Sequence, residues 1–375
     1  MFLEVHVIQN FALSNLNRDD TGAPKTCDFG GARRARISSQ CLKRAVRSYF
    51  REEAVLPAAD LGHRTKLLKR ALRERLENLG AGDNAELLAG VVITHLGLGI
   101  KKDKTEYLLF VGSREMDALA AFALEHREAL AKAGERGDEV DKALQSPILE
   151  ALDGGGAVDL ALFGRMIAKR PEKDVDAAVQ VAHAFSTHAV ATEFDFYSAV
   201  DDLQREDDEA GAGAGMLGTT LYNSSCYYRY ANLDAGQLAA NLGRYGNRAA
   251  EAVKAFLKGA IHAVPTGKQT GSAAQNPPAL VMVIVRDKGL WSLANAFVKS
   301  IRARADQDVV LLSAEAMMDY FARLSVLYGT DDIRRAGLAT YLDLSQLRAP
   351  VEIAGSMVEL VDCSVDALAA GQGWA

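Results

Sequence analysis

The segment most informative about the fold spans residues 33–44 and reads Arg33-Arg34-Ala35-Arg36-Ile37-Ser38-Ser39-Gln40-Cys41-Leu42-Lys43-Arg44. Ser38 or Ser39 can cap a helix running to about Glu53, because a serine hydroxyl accepts hydrogen bonds from the free amides of a first turn. At 100° per residue, one side of this helix is apolar and the opposite arc is polar and cationic. The first set is Cys41, Leu42, Ala45, Val46 and Tyr49, and the second is Gln40, Lys43, Arg44, Arg47 and Arg51. We therefore predict that one face packs and the other presents positive charge.

A basic region surrounds this helix, although the whole chain carries a net charge of −6. Residues 2–9 alternate as a strand does, and a polar loop follows from about Asn10 to Arg36. Between Leu16 and Arg47, eight cations face three carboxylates. Helix amides, serine hydroxyls and cations four residues apart can hold successive phosphates of one strand. A solvated helix face gives the same pattern, and spacing alone does not separate the two interpretations.

The bulk properties describe an ordinary globular protein of 375 residues, for which two or three substructures sharing a core are expected. Its four cysteines are scattered, without the paired spacing of a zinc or redox site. The sequence opens directly into the first strand, without a cationic leader or a long apolar segment. We expect reduced thiols, a cytoplasmic location and no membrane segment.

The remaining sequence contains a helical part, a hairpin and alternating helices and strands. From about Pro57 to Lys173 the pattern is mostly helical, which indicates an insertion. Strand patterns at 190–203 and 219–231 flank an acidic, glycine-rich run and predict a projecting hairpin. The other predicted elements are helices at about 175–187, 248–263, 290–304 and 314–327 and a strand at 279–286. These units favour an α+β core of the ferredoxin-like or RRM-like type over a parallel doubly wound sheet.

Several short motifs point to other chemistry, but their contexts differ from the known sites. The G-x-G-x-x-G at 213–218 follows acidic residues and precedes a strand, which is wrong for a dinucleotide site. The run 267–270 resembles the end of a P-loop and is a candidate phosphate contact. His183 and His188 do not share a helix face, so we predict no metal site. Asp19-Asp20 could bind a metal for phosphodiester cleavage, but we favour a role in capping a turn or in ordering the neighbouring cations.

Longer motifs carry a resemblance to a known family. They are Leu16-Asn17-Arg18-Asp19-Asp20, Phe29-Gly30-Gly31, Arg36-Ile37-Ser38-Ser39-Gln40, Leu42-Lys43-Arg44, Gly164-Arg165-Met166, Ala199-Val200-Asp201-Asp202-Leu203, Tyr228-Arg229-Tyr230-Ala231-Asn232 and Asn276-Pro277 before Val281-Met282-Val283. In this order they resemble the CasC family, the backbone subunit of type I-E CRISPR Cascade. The resemblance covers nearly the whole chain and is weakest across residues 57–160.

The resemblance implies a hand-like α+β subunit with an RRM-like (ferredoxin-like) palm, a helical fingers insertion and a β-hairpin thumb. The implied boundaries are 1–56 for the first part of the palm, 57–174 for the fingers, 175–189 for a second piece of palm, 190–221 for the thumb and 222–375 for the remaining palm. The acidic run from Arg205 to Gly215 departs from the family, whose thumb is usually shorter on that side.

The resemblance also implies a set of RNA-contacting residues and no catalytic residue. The expected RNA-binding residues are Arg18, Lys25, Arg36, Ser38, Gln40, Lys43, Arg44, Arg47, Met166 and Lys268. In the thumb, Phe196, Tyr197 and Val200 would wedge at a displaced nucleotide, while Met166 stacks on a base from the other side. Ordinary hairpin or core packing is the alternative role for each of these side chains.

The function that follows is a non-catalytic subunit that polymerises along guide RNA and presents it for pairing with target DNA. The implied partners are crRNA, target DNA, further copies of the chain and the Cascade subunits CasA, CasB, CasD and CasE, with no cofactor and no metal. Lysines 101, 102 and 104 could accompany the target strand. Two alternatives stay open. One is a metal-dependent endoribonuclease using Asp19, Asp20, Asp201 or Asp202, and the other is a general binder of single-stranded RNA.

Overall fold

The computed structural model describes residues 1–136, 142–199, 216–303, 307–344 and 349–374. Its strands are β1 (Phe2–Ser14), β2 (Thr26–Phe29), β3 (Ala32–Ile37), β4 (Gly62–Thr65), β5 (Ile100–Lys101), β6 (Lys104–Thr105), β7 (Leu109–Gly112), β8 (Val179–Val181), β9 (Ala184–Ser186), β10 (Glu193–Ala199), β11 (Met216–Asp234), β12 (Leu280–Arg286), β13 (Ile333–Thr340) and β14 (Glu352–Ile353). Its helices are α1 (Ser39–Glu52), α2 (Leu68–Asn78), α3 (Ala85–His95), α4 (Ser113–Glu125), α5 (Arg127–Arg136), α6 (Lys142–Glu150), α7 (Val158–Phe163), α8 (Ala235–Leu242), α9 (Ala249–His262), α10 (Gln269–Ser272), α11 (Val309–Tyr328) and α12 (Met357–Gln372).

Strand β1 lies at the centre of a large sheet. Among the described residues, ten strands form this sheet. Eight of them are adjacent in the order β14-β13-β12-β1-β11-β9-β3-β2, and the other two, β8 and β10, each pair with β11. β1 runs antiparallel to both neighbours, with Val5 opposite Ala231 on β11 and Val283 on β12. β13 and β14 are parallel, so the sheet is mixed.

Helices cover both faces of this sheet. Leu3, Val5 and Val7 of β1 belong to a buried cluster with residues of α1, α9 and α12. Ile8, which points to the opposite face because strand side chains alternate, belongs to a second cluster with Phe297 and with Phe321 of α11. The predicted α+β architecture is confirmed as a large mixed sheet with helices on both sides. Within the described residues, no helix is both long and apolar enough to cross a membrane.

The predicted helix at 175–187 is wrong. This stretch contains β8 and β9, which pair with β11, and β9 also pairs with β3. Val179 of β8 is buried, and so are Ala184 and Ser186 of β9, which lie two residues apart as expected for one face of a strand. The alanine content of the stretch made this strand pattern hard to recognise in the sequence. Open ladder positions on β11 and β3 satisfy its backbone groups, and this tertiary pairing overrides local helix propensity.

Two further expectations need correction. The loop predicted from Asn10 to Arg36 contains the end of β1 and the β2–β3 hairpin, which turns at Gly30 and Gly31 with φ of +60° and +72°. The helix predicted at 290–304 is reduced to a 3₁₀ turn at Leu293–Phe297. The N-terminus of α1 is confirmed, because Ser38 Oγ accepts from the Cys41 amide at 3.3 Å.

A separate hydrophobic cluster lies between α1 and β8 along the chain. It is formed by buried side chains of α2 to α6, including Leu72, Leu88, Leu119 and Ile148. A buried ion pair closes one end of this region. The Arg165 Nη1 lies 2.7 Å and 2.9 Å from the two carboxylate oxygens of Glu115, and those oxygens also accept from the amides of Gly112 and Gly154 at 2.6 Å each. One carboxylate therefore fastens three segments together.

We expect Glu115→Ala to lower the free energy of unfolding by about 3–5 kcal/mol, because removing one partner leaves a buried guanidinium without its countercharge. Urea denaturation followed by circular dichroism measures this change. Glu125→Ala, at an exposed position near the end of the same helix, is the matched control and should change stability by about 0.5 kcal/mol or less. Equal stability of the two variants would contradict the proposed importance of the ion pair.

Candidate nucleic-acid interface

The polar side of α1 lines a cleft of about 1040 Å³, which we call the α1 cleft. Its apolar side, with Leu42, Val46 and Phe50, is buried. Gln40, Lys43 and Arg44 lie along one wall of the cleft, and Met166 lies on another part of its lining. The two faces predicted for this helix therefore have the predicted environments, and Met166, which is far from α1 in the sequence, lies in the same cleft as the cationic face.

A second cleft of about 640 Å³, the loop cleft, lies beside the first. It is lined by Arg18 and by the segment from Pro265 to Gly267. The carboxylates of Asp19, Asp20 and Glu52 also belong to its lining, so its charge is mixed. It shares Arg44 and Ser48 with the α1 cleft. The two clefts therefore meet along α1. Residues that are far apart in sequence, such as Arg18 and Met166, therefore line adjacent clefts on the same helix.

The cations of α1 fall into two groups. Arg47 Nε donates to Asp159 Oδ2 at 3.0 Å, and Arg51 Nη2 donates to the same oxygen at 3.3 Å. The Arg47 guanidinium also lies 4.2 Å from the centre of the Phe110 ring, as in a cation–π contact. Burial lowers the pKa of Arg47, and the neighbouring Asp159 opposes that shift. Arg47 is thus charge-paired at the base of the cleft.

Lys43 and Arg44 form the second group. Neither makes an ion pair with a carboxylate in the part of the chain that the structure describes. Burial lowers the pKa of the Lys43 ammonium. A cation that is partly desolvated and lacks a protein countercharge is suited to an external anion, because the anion replaces both missing interactions.

Other predicted contact residues have roles within the fold. Arg36 Nε donates to the Thr26 carbonyl at 3.2 Å, and its Nη1 lies 3.2 Å from His183 Nδ1. Ser38 caps α1 and is nearly buried. Lys268 is exposed in a left-handed conformation, with φ of +53°, beside the loop cleft. The Lys25 amide donates to the Asn17 carbonyl at 2.9 Å. Their contact with RNA stays a prediction.

The hairpin of β10 and β11 presents aromatic side chains on both faces. Phe196 pairs opposite Thr219 and is 68% exposed, whereas Tyr197, the next residue, points to the other face. The Tyr197 ring covers Gly218, where an added Cβ would lie 2.4 Å from the ring carbon Cζ. Phe196 and Tyr197 therefore lie on different faces of the hairpin, and their role at a displaced nucleotide stays a prediction. Val200, the third predicted wedge residue, lies outside the described residues.

Asp19 has a turn-capping role, one of the two that the sequence favoured. Its Oδ1 accepts from the amides of Thr21 and Ala23 at 2.9 Å and 3.0 Å, and from the Thr21 hydroxyl at 2.8 Å. These hydrogen bonds lower the pKa of the carboxyl group, led by the one from the Thr21 side chain. Asp201 and Asp202, named as alternative catalytic candidates, lie outside the described residues.

Sequence reasoning missed Arg64, Leu108 and Phe110, which line the α1 cleft, and the buried Asp159, which pairs with Arg47 of that lining. The first three stand in ordinary helical or strand contexts and gave no signal. Asp159 did leave one, because a carboxylate in the apolar run from Val158 to Phe163 needs a buried partner. Its partners are two arginines of α1.

The sequence of the chain resembles known proteins. A family model described as CT1975-like protein matches residues 3–362. The chain belongs to the CT1975-like family. The relationship to CasC-type subunits noted in the sequence is thereby confirmed at the level of the family. A comparison with curated proteins found no match.

Solved structures that resemble this member of the CT1975-like family come from CRISPR assemblies. One, described as a CRISPR RNA-guided surveillance complex, pre-nicking, is 35% identical, with a TM-score of 0.88 over 98% of this chain and 100% of that chain. Another, described as a CRISPR RNA-guided surveillance complex, is 30% identical, with a TM-score of 0.78 over the same shares.

The pairing of Asp159 with α1 predicts how the cleft responds to charge. Asp159→Asn keeps an oxygen acceptor but removes the negative charge beneath Arg47 and Arg51. We expect this variant to elute from immobilised heparin, a polyanion, at higher salt than the wild type. Asp319→Asn changes the net charge equally but lies on α11, against the opposite face of the sheet, and is the matched control. Equal shifts in the two variants would contradict an anion-binding α1 cleft.

Proposed function

We propose that this protein is a non-catalytic, crRNA-binding backbone subunit of a type I-E Cascade. In this role it polymerises along the guide RNA and presents it for pairing with target DNA in antiviral defence. The observation that carries the proposal is the joined pair of clefts along α1. They hold Arg18, Gln40, Lys43, Arg44 and Met166, all of which the CasC resemblance nominates as guide contacts.

The chemistry of these clefts suits an RNA backbone. Lys43 and Arg44 lack carboxylate partners in the described ranges, so their charges are available to phosphates. Met166 is 78% exposed and gives the same cleft an apolar surface on which a base can stack. Contacts of this kind read backbone and shape and leave base edges free, so sequence discrimination belongs to Watson–Crick pairing with the target.

We further propose that the central sheet is an RRM-like palm. Strands β12, β1, β11 and β9 are adjacent in that order, α1 lies between β1 and β9 along the chain, and α9 lies between β11 and β12. This order is compatible with the β-α-β-β-α-β arrangement of ferredoxin-like folds and supports the proposal. RRM domains bind RNA through aromatic side chains on the open sheet face. Here Tyr228 and Tyr230 on β11 are buried in the cluster that includes α11. This favours binding along α1 and disfavours a general RNA binder of the RRM type.

The remaining parts take their proposed roles from the family. Residues 57–174 would be the fingers, and 190–221 a thumb that reaches over the RNA held by a neighbouring copy. CasA, CasB, CasD and CasE, crRNA and target DNA would be the partners in the cytoplasm. The non-catalytic assignment follows the family resemblance, and the turn-capping role of Asp19 Oδ1, which accepts three hydrogen bonds within its own turn, is compatible with it.

We expect Arg44→Ala to weaken binding of single-stranded RNA of any sequence, because Arg44 borders both clefts. The slope of log K against log salt should fall by about 0.7 for the lost phosphate contact. Lys43→Ala should behave in the same way. Fluorescence anisotropy with a labelled oligonucleotide at four or more salt concentrations measures both quantities.

Arg323→Ala is the matched control, because Arg323 is an exposed arginine on α11 and its replacement by alanine removes the same charge as Arg44→Ala does. Its slope should equal that of the wild type. Unchanged salt slopes for Arg44→Ala and Lys43→Ala, in protein that circular dichroism shows to be folded, would mean that RNA does not bind in the α1 cleft or the loop cleft. That result would overturn the proposed function.

A further inference from the structure

Met166 stands between two residues whose backbones are tied down. Arg165 and Val175 exchange backbone hydrogen bonds, with both N–O distances at 2.9 Å. On the other side, the amide of Ile167, a buried residue, donates to Asp174 Oδ1 at 2.5 Å. Met166 itself is 78% exposed. A large apolar side chain is thus presented to solvent from a segment that is fastened immediately before and immediately after it.

The fastening before Met166 is the more extensive one. The Arg165 guanidinium is bound to Glu115, and it also donates to the carbonyls of Lys173 and Leu152 at 3.1 Å and 3.3 Å. Gly164 has a φ of +77°, and an added Cβ would lie 2.8 Å from the Val175 carbonyl oxygen. The close approach of Gly164 to Val175 and the hydrogen bonds of Arg165 thus restrict the backbone conformation just before Met166, whose side chain is exposed.

After Met166, the Ile167 side chain is buried in the hydrophobic cluster of α2 to α6 and its carbonyl accepts from the Arg170 amide at 2.8 Å, while its own amide is held by one exposed carboxylate. Asp174 lies on the surface and forms no ion pair among the residues that the structure describes. The interaction shown for its side chain is acceptance of the Ile167 amide. An exposed carboxylate without a cation contributes little to global stability, so this hydrogen bond has a local effect on the loop from Met166 to Asp174.

We propose that Asp174, together with the Glu115–Arg165 pair, is a positioning residue that pre-organises Met166 for stacking on a guide-RNA base. This inference rests on the proposed function. An exposed methionine on an untied loop would lose rotamer and backbone freedom on binding, and a segment fixed beforehand avoids that cost. The side chain that meets the base is Met166, and Asp174 acts through the Ile167 amide without touching RNA.

The test compares Asp174→Ala, Asp174→Asn, Met166→Ala and the double variant Asp174→Ala/Met166→Ala in RNA-binding assays on the full chain. Met166→Ala should weaken binding by about 5-fold or more, since one stacking contact is lost. Asp174→Ala should weaken binding by about 2- to 10-fold, the cost of one newly mobile group. Asparagine retains an acceptor oxygen, so Asp174→Asn should bind RNA as the wild type does. In the double variant, loss of Asp174 should add nothing to loss of Met166.

A second readout does not involve RNA. Hydrogen–deuterium exchange of the peptide containing residues 164–168 should accelerate in Asp174→Ala and stay slow in Asp174→Asn, because only the first loses the acceptor for the Ile167 amide. Unchanged exchange in Asp174→Ala would overturn the positioning role even if RNA binding fell.

The outcomes separate this inference from the proposed function. Suppose that the wild type binds RNA. The positioning role alone is overturned if Asp174→Ala binds as tightly as the wild type, or if the loss of affinity in the double variant equals the product of the losses in the two single variants. A loss in Asp174→Ala when Met166→Ala binds normally also overturns it, because the effect would not pass through Met166. Absence of RNA binding by the wild-type protein overturns the proposed function and the inference together.

Discussion

Asp159 is a buried carboxylate in the short helix α7, and three groups from other segments satisfy it. Two are Arg47 and Arg51 of α1, and the third is the Gly62 amide, which donates to Asp159 Oδ1 at 2.6 Å. Arg51 also donates to the Gly62 carbonyl. A carboxylate without exposed surface cannot be left unpaired, so these contacts fix α1 relative to the inserted region. The walls of the α1 cleft belong to these two parts, and its shape depends on this junction.

The junction also divides the positive charge of α1. Arg47 and Arg51 neutralise Asp159, and Arg47 covers Phe110. Lys43 and Arg44, one helical turn earlier, line the cleft without a carboxylate partner in the described ranges. One amphipathic helix thus supplies apolar packing against the sheet, a structural ion pair and free cations for an external anion. The role of each α1 residue depends on whether its side chain faces the sheet, Asp159 or the cleft.

The sequence predicted the parts of this arrangement that depend on local periodicity. The apolar and cationic faces of α1 and its Ser38 cap follow from a 3.6-residue repeat and a capping side chain, and both are observed. The helix predicted at 175–187 failed because unpaired edges of β11 and β3 impose strand geometry, and nothing local reports those edges. The contribution of Phe110 to the cleft was equally hidden, since contacts across more than 60 residues leave no periodic signal. Asp159 stood out as a carboxylate in an apolar run, but its arginine partners on α1 could not be read from that run. The opposite directions of Phe196 and Tyr197 were readable, because adjacent residues of a strand always diverge.

In the proposed function, guide RNA runs along the two clefts beside α1, and α11 covers the opposite face of the sheet. Ultraviolet crosslinking of the protein bound to uridine-rich RNA, followed by mass spectrometry of the crosslinked peptides, tests this path most directly. The account predicts crosslinks in peptides covering residues 40–51, 108–110 and 163–166, which line the α1 cleft. Crosslinks confined to α11 or to the strand residues beneath it would place the RNA on the opposite face and contradict the account.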